Sequence, residues 1–424
     1  MTGRTSKPRG RGFAMQLAAT LVAVAAFFFG ALPAAALDKA AVEQQFHAWI
    51  ERQVWPAAKK AGVSRATFAV MDGTSLDWSL PDLVPPGSKQ PASDMRQSEF
   101  GSPGRYFDEK KLAPLISLGR ERLATYKDTL AAVEKRYGVP GPIVVAIWGR
   151  ESGFGRVKLP NEAVRSLATL AFMGARREDF FGELVAALQI LEEDHVTSDR
   201  LRSSWAGALG QPQFLPSKFL AFAVDFDGDG KRDIWNSVPD TLGSIGNYLA
   251  RHGWRSGRDW GFEAEVPAGV SCALEGPDRG KPITAWEGAG VARVAGKAFP
   301  DSERKGDGFL LMPAGRHGPA FIATENFYVL KAYNESDLYA LFIGHLADRM
   351  RGGKPFVAPW ANVEKVNRLA VRDMQLRLEK RGIDVGGADG LVGFKTRRAI
   401  GDWQAATGLA ATCFPQPAMV DKVR

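Results

Sequence analysis

An apolar segment that ends in a glutamate and alternating glycines lies at residues 141–156, Gly-Pro-Ile-Val-Val-Ala-Ile-Trp-Gly-Arg-Glu-Ser-Gly-Phe-Gly-Arg. The apolar run at 143–148 predicts a buried helix, and the glycines after Glu151 predict where that helix ends. A carboxyl group at the end of an apolar helix can stay protonated near neutral pH, as a general acid must. Because a glutamate at a helix end is more often a solvated surface residue, this position needs support from elsewhere in the chain.

A second motif lies at residues 204–216, where the chain reads Ser-Trp-Ala-Gly-Ala-Leu-Gly-Gln-Pro-Gln-Phe-Leu-Pro. Small residues let a long ligand approach the backbone, while amides and aromatic rings recognise hydroxyls and sugar faces. The alternative interpretation is a tight helix that packs against a loop. The motif therefore favours a carbohydrate site without requiring one.

Two further segments follow, Asp-Phe-Asp-Gly-Asp-Gly at 225–230 and Gly-Asn-Tyr-Leu-Ala-Arg-His-Gly-Trp at 246–254. The order and spacing of all four segments resemble the membrane-bound lytic murein transglycosylase B family, which cleaves the glycan of bacterial peptidoglycan. The resemblance runs from about residue 126 to about residue 348. It implies an α+β, mainly α fold with a lysozyme-like catalytic domain.

The resemblance also implies the chemistry. The family pattern Glu-Thr/Ser-x-x-Gly-Arg matches residues 151–156, which makes Glu151 the catalytic residue. Such enzymes use one glutamate as acid and then base, while the N-acetyl group of the substrate assists at the anomeric carbon. The C6 hydroxyl then attacks, so the MurNAc-GlcNAc β-1,4 bond is cleaved without water and leaves a 1,6-anhydroMurNAc end.

Further glycan-binding positions are implied by the same alignment. They are Ser204, Gln213, Tyr248, Tyr333 and Asn334. Tyr248 also fits a helix core, and the pair at 333–334 also fits a helix start. The chain departs from the family at Gln211-Pro212, where Tyr-Gly is common, so we expect different glycan contacts beside the acid.

The acidic loop begins like an EF-hand, in which alternate carboxylates converge on calcium and a glycine makes the sharp turn. Like charges this close repel one another without a cation, so a plain polar turn is the weaker interpretation. The family resemblance implies that the last ligand is a later aspartate, Asp240, with Asp233 and Asn236 as alternatives. The predicted ligands of a structural Ca²⁺ are Asp225, Asp227, Asp229, Lys231 (through its carbonyl) and Asp240. No organic cofactor is expected.

The first 36 residues have a basic region, an apolar core and an Ala-x-Ala site, in the order of a secretory signal peptide. An uncleaved anchor is the alternative, because the core is almost long enough to span a bilayer. No Cys lies near the site, so we expect a periplasmic protein that is not a lipoprotein. Cleavage removes four basic and no acidic residues, so the net charge falls from +8 to +4. That excess suits an anionic wall polymer and is too small to indicate nucleic acid.

Along the mature chain, helical periodicity predicts helices in four stretches, at 40–70, 112–137, 165–191 and 328–350. We predict a catalytic domain at 37–350 with a β-rich insertion at about 262–323, a linker at 351–362 and a second domain at 363–424. The second domain resembles the three-helix peptidoglycan-binding domain on matches that include Asp389-Gly390, Trp403-Gln404 and Gly408-Leu409. Cys272 and Cys413 allow either a disulfide or two buried thiols.

The sequence therefore predicts an exported, monomeric lytic transglycosylase whose partners are glycan strands. Glycoside cleavage usually employs two carboxyl groups, and the acidic side chains near Glu151 in sequence (Glu162, Glu178 and Asp179) have the pattern of solvated faces. A hydrolytic muramidase would need a second, water-activating carboxylate across the cleft. A peptidoglycan-binding protein without activity is the other alternative, and intact Glu151 and Gln213 argue against it.

Overall fold

The computed structural model describes residues 38–86, 103–364, 366–420 and 422–423, so the predicted signal segment at 1–36 lies outside the described residues. The described part is mainly helical, with one small sheet and one two-stranded pairing. The α-helices are α1 (Lys39–Trp49), α2 (Trp55–Lys60), α3 (Arg65–Phe68), α4 (Glu109–Thr125), α5 (Lys127–Tyr137), α6 (Gly141–Ser152), α7 (Ala163–Met173), α8 (Arg177–Glu192), α9 (Pro216–Phe222), α10 (Val238–Arg251), α11 (Ile283–Gly288), α12 (Asp301–Arg304), α13 (Glu325–Asn334), α14 (Asp337–Met350), α15 (Arg368–Glu379), α16 (Phe394–Ala406) and α17 (Pro417–Val420). A π-helical turn, Ile50–Val54, joins α1 to α2.

Helix α6 lies at the centre of the helical domain. Its residues 143–149 are all buried, and it packs against α4, α5, α10 and α14. The helix ends at Gly153, whose left-handed φ of 59° lets its N–H bond back to the helix. A Cβ on Gly149 would lie 2.6 Å from the ring of Phe154, so only glycine lets the following loop fold back there. The apolar run therefore forms a core helix, and Glu151 lies in its last turn.

Three stretches predicted as continuous helix each contain a pair of helices. The breaks fall at Tyr126, at Gly174 and at Glu335, which has a left-handed φ of 57°. A Cβ on Gly174 would lie 2.4 Å from the Leu170 carbonyl oxygen, so glycine permits the sharp exit from α7. Because apolar residues continue on both sides of so short a break, periodicity alone does not reveal it.

The β-strands are β1 (Asn161–Glu162), β2 (Arg202–Ser203), β3 (Gly261–Glu265), β4 (Lys281–Pro282), β5 (Ala292–Arg293), β6 (Asp307–Leu311) and β7 (Ala320–Ala323), of which β1 and β2 pair separately. The predicted β-rich region contains the other five as one sheet in the order β4-β6-β7-β3-β5, with every neighbouring pair antiparallel. One face packs around Trp286, Leu310 and Ile322. The predicted class, mainly α with a small sheet and a C-terminal helical domain, is confirmed.

The C-terminal domain consists of α15, α16 and α17 around a core that includes Met374, Ile400 and Trp403. A disulfide between Cys272 and Cys413 joins it to the sheet region, which settles the alternative that the sequence left open. The C-terminal domain is held against the body by this disulfide and also by the ion pairs of Arg397.

Arg397 of α16 is the centre of a buried ion cluster between the domains. Its guanidinium donates two hydrogen bonds to Glu275, at 2.9 and 2.7 Å, and one to Asp337 at 2.8 Å. Glu275 and Arg397 are both almost fully buried. Asp337 is the first residue of α14, so the C-terminal domain is tied to a helix of the catalytic core.

The predicted linker at 351–362 packs along the body. The backbone N–H groups of Val357 and Ala358 donate to the Glu263 carboxylate, at 2.9 and 2.8 Å. Trp360 stacks on Phe107 with ring centroids 5.2 Å apart. The segment thus adds a third attachment between the domains, and the predicted domain boundaries stay predictions.

Among the described residues, every helix is too short or too polar to cross a bilayer.

Candidate active site

Glu151 lies at the edge of the core, partly buried, in the last turn of α6. Burial raises the pKa of Glu151, because a carboxylate loses hydration there. A hydrogen bond from Tyr339 and the positive charges of Arg150 and Lys218 oppose that rise. The result is a carboxyl group that resists ionisation and yet has groups ready to stabilise its carboxylate.

Tyr339 is the direct partner of Glu151 and was not predicted from the sequence. Its hydroxyl donates to the Oε1 atom of Glu151 from the first turn of α14. Burial raises the pKa of Tyr339 well above its usual value, so the phenol remains a donor. The available signal was one hydroxyl in an otherwise apolar run at 338–343, which also suits a helix core.

Tyr333 and Tyr248 pack behind this pair. The Tyr333 ring stacks on Tyr339 with centroids 6.2 Å apart, and its hydroxyl donates to the Pro212 carbonyl at 2.7 Å. The buried Tyr248 donates its hydroxyl to the Ala332 carbonyl, also at 2.7 Å. Both hydroxyls are therefore committed to backbone carbonyls, which favours a wall-forming role. Direct glycan contact by either residue stays a prediction.

Ser204 and Gln213 lie on one folded loop, closed by bridges from Leu209 to Ser203 and to Phe214. The Ser204 hydroxyl accepts the Ala208 N–H at 3.1 Å, which leaves its own hydrogen for a further acceptor. Gln213 has a left-handed φ of 55° and donates its amide to the Gly210 carbonyl at 2.9 Å.

Both side chains are partly buried, whereas Asn334 ends α13 with an exposed side chain. Glycan binding by these three residues stays a prediction.

Gln211, at the departure from the family pattern, bridges two elements of the site. Its side-chain oxygen accepts the Trp148 indole N–H at 2.7 Å, and its amide donates to the Trp235 carbonyl at 3.0 Å. The residue thus ties α6 to the loop before α10. A cavity of about 630 Å³ opens beside it, lined in part by Ser152 and Gly155.

The groups that act on Glu151 within the described part of the chain include no second acid. Among the described residues, the groups that shift the pKa of Glu151 besides its burial are Tyr339, Arg150 and Lys218, and none is a carboxylate. Glu162 and Glu178 have exposed side chains, as predicted for solvated faces, and so does Asp179. The arrangement can therefore donate and take back one proton.

The predicted metal loop brings three carboxylates together. Ligand oxygens of Asp225, Asp227 and Asp229 all lie within 4.8 Å of one another. Asp225 also accepts the backbone N–H groups of Gly228 and Gly230, at 2.7 and 2.8 Å, which curls the loop around it. The donor set is oxygen-only and close to the surface, and it fits a hard cation such as Ca²⁺.

Asp240 and Asp233 have other partners in this arrangement. The buried Asp240 accepts the N–H groups of Phe226 and Asp233, each at 2.7 Å. Asp233 accepts the N–H of Asn236 at 2.9 Å. The side chain of Lys231 pairs with Asp194 at 2.8 Å. The Asp240 carboxylate thus organises the loop by accepting hydrogen bonds from backbone amides of the loop. Ligation of a metal by Asp240, like ligation by the Lys231 carbonyl, stays a prediction.

Two family models match the chain. One, described as Transglycosylase SLT domain, covers residues 45–348, and the other, described as Putative peptidoglycan binding domain, covers residues 367–421. Membrane-bound lytic murein transglycosylase B of Escherichia coli (strain K12) is 32% identical over 226 residues. That alignment covers 52% of this chain and 60% of the relative, so it spans less than two thirds of that protein.

Solved structures match over more of the chain. SltB3 from Pseudomonas aeruginosa in complex with NAG-anhNAM-pentapeptide has 37% identity and a TM-score of 0.77, over 89% of this chain and 99% of that one. The Escherichia coli lytic transglycosylase Slt35 in complex with calcium has 28% identity and a TM-score of 0.56, over 73% and 92%. The predicted lysozyme-like class and the resemblance to this family are confirmed.

Proposed function

Since this chain belongs to the transglycosylase SLT domain family, we propose that it is a peptidoglycan lytic transglycosylase. It cleaves the MurNAc-GlcNAc β-1,4 bond without water and leaves 1,6-anhydroMurNAc ends. The observation that carries the proposal is the environment of Glu151, a partly buried acid that accepts a hydrogen bond from Tyr339, with no second carboxylate acting on it among the described residues. Such a site suits a reaction with one acid-base group.

In the proposed reaction, neutral Glu151 donates its proton to the glycosidic oxygen as the bond to the anomeric carbon breaks. The N-acetyl group of the substrate stabilises the anomeric carbon. Glu151, now a carboxylate, takes the proton from the C6 hydroxyl as that oxygen attacks. Glu151 therefore ends the reaction protonated, as it began, and no water is consumed. The Tyr339 hydrogen bond supports the carboxylate that exists between the two transfers.

The proposal is tested by digesting purified sacculi with the mature protein in water enriched in heavy oxygen. A lytic transglycosylase releases muropeptides one water lighter than reducing muropeptides, with no heavy oxygen incorporated. Reducing ends that carry one heavy oxygen would identify a hydrolytic muramidase instead. Binding to sacculi without any release would leave only a peptidoglycan-binding role. Mass spectrometry distinguishes the three results.

We propose that the enzyme works in the periplasm, which it reaches through the signal segment at 1–36. We propose further that it is a monomer and not a lipoprotein. The C-terminal domain, matched by a putative peptidoglycan-binding model, would hold glycan strands near the cleft. The net charge of +4 expected after signal removal suits an anionic wall polymer. No organic cofactor enters the proposed chemistry.

A structural Ca²⁺ is proposed at Asp225, Asp227 and Asp229, supported by their convergence and by the calcium complex of Slt35. Binding to the folded state alone stabilises it by about 2.7 kcal/mol at a calcium concentration of one hundred times Kd. We therefore expect millimolar Ca²⁺ to raise Tm in calorimetry. The Asp227→Asn, Asp229→Asn double variant should lose most of that increase.

A matched control for the calcium experiment is Asp301→Asn. Asp301 is an exposed acid on α12 that pairs with Arg304 and is not in the cluster, so its variant should keep the calcium response. An equal Tm increase in the double variant would place the ion elsewhere, and no increase in the wild type would remove the metal site.

Tyr339→Phe tests the hydrogen bond to Glu151. Loss of that bond removes a group that lowers the pKa of Glu151, so the pKa should rise further above its usual value. Because the neutral acid is the active form, the alkaline limb of the kcat/KM profile should move to higher pH. Activity at the optimum should fall about tenfold, since the carboxylate that forms during the reaction is less stable.

The control for this prediction is Tyr328→Phe, which removes a half-buried tyrosine hydroxyl elsewhere on the neighbouring helix α13. Its pH profile should match the wild type. An unshifted limb in Tyr339→Phe would mean that the hydrogen bond does not act on Glu151.

A further inference from the structure

Lys218 is a cation in the active site to which the proposed reaction assigns no role. It lies on α9, and its Nζ atom lies over the rings of Tyr248 and Tyr333, 5.2 and 5.9 Å from their centroids. The side chain is partly buried and forms neither an ion pair nor a hydrogen bond within the described part of the chain. A partly desolvated ammonium that lacks a direct ion pair is unfavourable, so such a position suggests a role in the site.

The rings beneath Lys218 connect it structurally to the acid. Tyr333 stacks on Tyr339 at an interplanar angle of 12°, and Tyr339 donates to Glu151. The aromatic faces attract the ammonium and hold it beside the acid without contributing a negative charge of their own. The position of the cation is therefore set by the same tyrosines that form the wall behind Glu151.

Three carboxylates act on Lys218, and they differ in what else they bind. Burial lowers the pKa of Lys218, while Glu151, Glu183 and Glu335 oppose that shift. Glu183 is committed to α9, since it accepts the N–H and the hydroxyl of Ser217 at 2.8 and 2.7 Å. Glu335 is exposed to solvent at the end of α13. Of the three, Glu151 is the carboxyl group whose charge changes in the proposed reaction.

We propose that Lys218 is a positioning residue for proton transfer, whose ammonium stabilises the Glu151 carboxylate from a distance during the reaction. The inference rests on the proposed function. A direct ion pair would ionise Glu151 in the resting enzyme and remove the proton that it must donate. A cation held on aromatic rings lowers the cost of ionisation without that loss.

Two cations act on Glu151, and Lys218 is the partly buried one, whereas Arg150 is exposed to solvent. Tyr339 reaches it from α14 and Tyr333 from α13, and both are neutral. Arg150, on the same helix as Glu151, places its guanidinium over the rings of Tyr106 and Phe342, 5.5 and 5.2 Å from their centroids. Lys218 is thus the cation supplied from across the site.

The test compares Lys218→Met with Lys218→Arg in two measurements. The first is the pH profile of kcat/KM on sacculi, and the second is a carbon-13 NMR titration of the Glu151 carboxyl without substrate. For Lys218→Met we expect the alkaline limb and the NMR pKa to rise together by about half a unit or more, because a nearby positive charge is lost. Activity at the optimum should fall several-fold. Lys218→Arg keeps the charge and should restore both values.

Lys281→Met is the matched control, since Lys281 also lies over an aromatic ring, Trp286, 4.9 Å from its centroid in the sheet region. It should leave the profile and the NMR pKa unchanged. A pH-independent loss of activity in Lys218→Met, with an unshifted NMR pKa, would reduce Lys218 to a packing residue and overturn the inference. If Lys218→Met does not fold, Lys218→Gln gives the same comparison.

The two measurements also separate this inference from the proposed function. An inactive wild type would defeat the proposed function, and the proposed role of Lys218 would fall with it even if the NMR shift were present. An active wild type with no shift in either variant would defeat the inference alone.

Discussion

Glu151→Gln should lower the rate of muropeptide release by about 10³- to 10⁴-fold, since one side chain both donates and accepts the proton. Glutamine has nearly the same shape, and its side-chain oxygen can still accept the Tyr339 hydroxyl. We therefore expect no loss in Tm and no loss of binding to sacculi. The measurements are the initial rate of release by mass spectrometry, thermal unfolding, and cosedimentation with sacculi.

The matched control is Glu162→Gln. Glu162 is an exposed glutamate on β1 whose contact with Arg202 is a weak surface pair at 4.0 Å. Its variant should stay within twofold of the wild type. If Glu151→Gln kept a tenth or more of the activity, the proton would have to pass through another group and the single-acid reaction would be wrong.

The helix that carries Glu151 was predictable because its information is local. An uninterrupted apolar run followed by glycines specifies a buried helix and its end, and both are found in α6. The confirmed fold class has the same origin, since helical periodicity and the Gly-rich strand pattern are properties of neighbouring residues. The breaks within the three predicted helices were missed because one or two residues in a turn do not disturb the period.

The partner of Glu151 was not predictable in this way. Tyr339 is 188 residues away along the chain, and no local pattern distinguishes a tyrosine that faces a carboxyl group from one in a helix core. Gln211 shows the same limit, because the sequence marked it as a departure without revealing that it bridges Trp148 and Trp235. The pairing of Cys272 with Cys413 likewise needed a distance that the sequence does not contain.

Arg397→Met should lower the free energy of unfolding by about 3–5 kcal/mol at neutral pH, because it leaves buried carboxylates without their shared cation. Glu275 would lose its ion-pair partner, whereas Asp337 would keep Lys331 at 2.7 Å. The adjacent residue provides the control. Arg398 pairs with Asp278, which is 59% exposed, so Arg398→Met should cost less than about 1 kcal/mol. Denaturant titration with the disulfide intact measures both.

The cost of Arg397→Met should also depend on pH. Burial alone would raise the pKa of Asp337, but Arg397 and Lys331 outweigh it and hold that pKa below its usual value. A group with a lowered folded-state pKa contributes stability above its unfolded pKa, about 3.9, and loses it as the pH falls through the folded value. The difference between variant and wild type should therefore be largest at neutral pH and shrink below about pH 4. A cost equal to that of Arg398→Met, or one independent of pH, would show that the cluster does not hold the domains together. Because Asp337 begins the helix that presents Tyr339 to Glu151, the same cluster that joins the domains also anchors one wall of the active site.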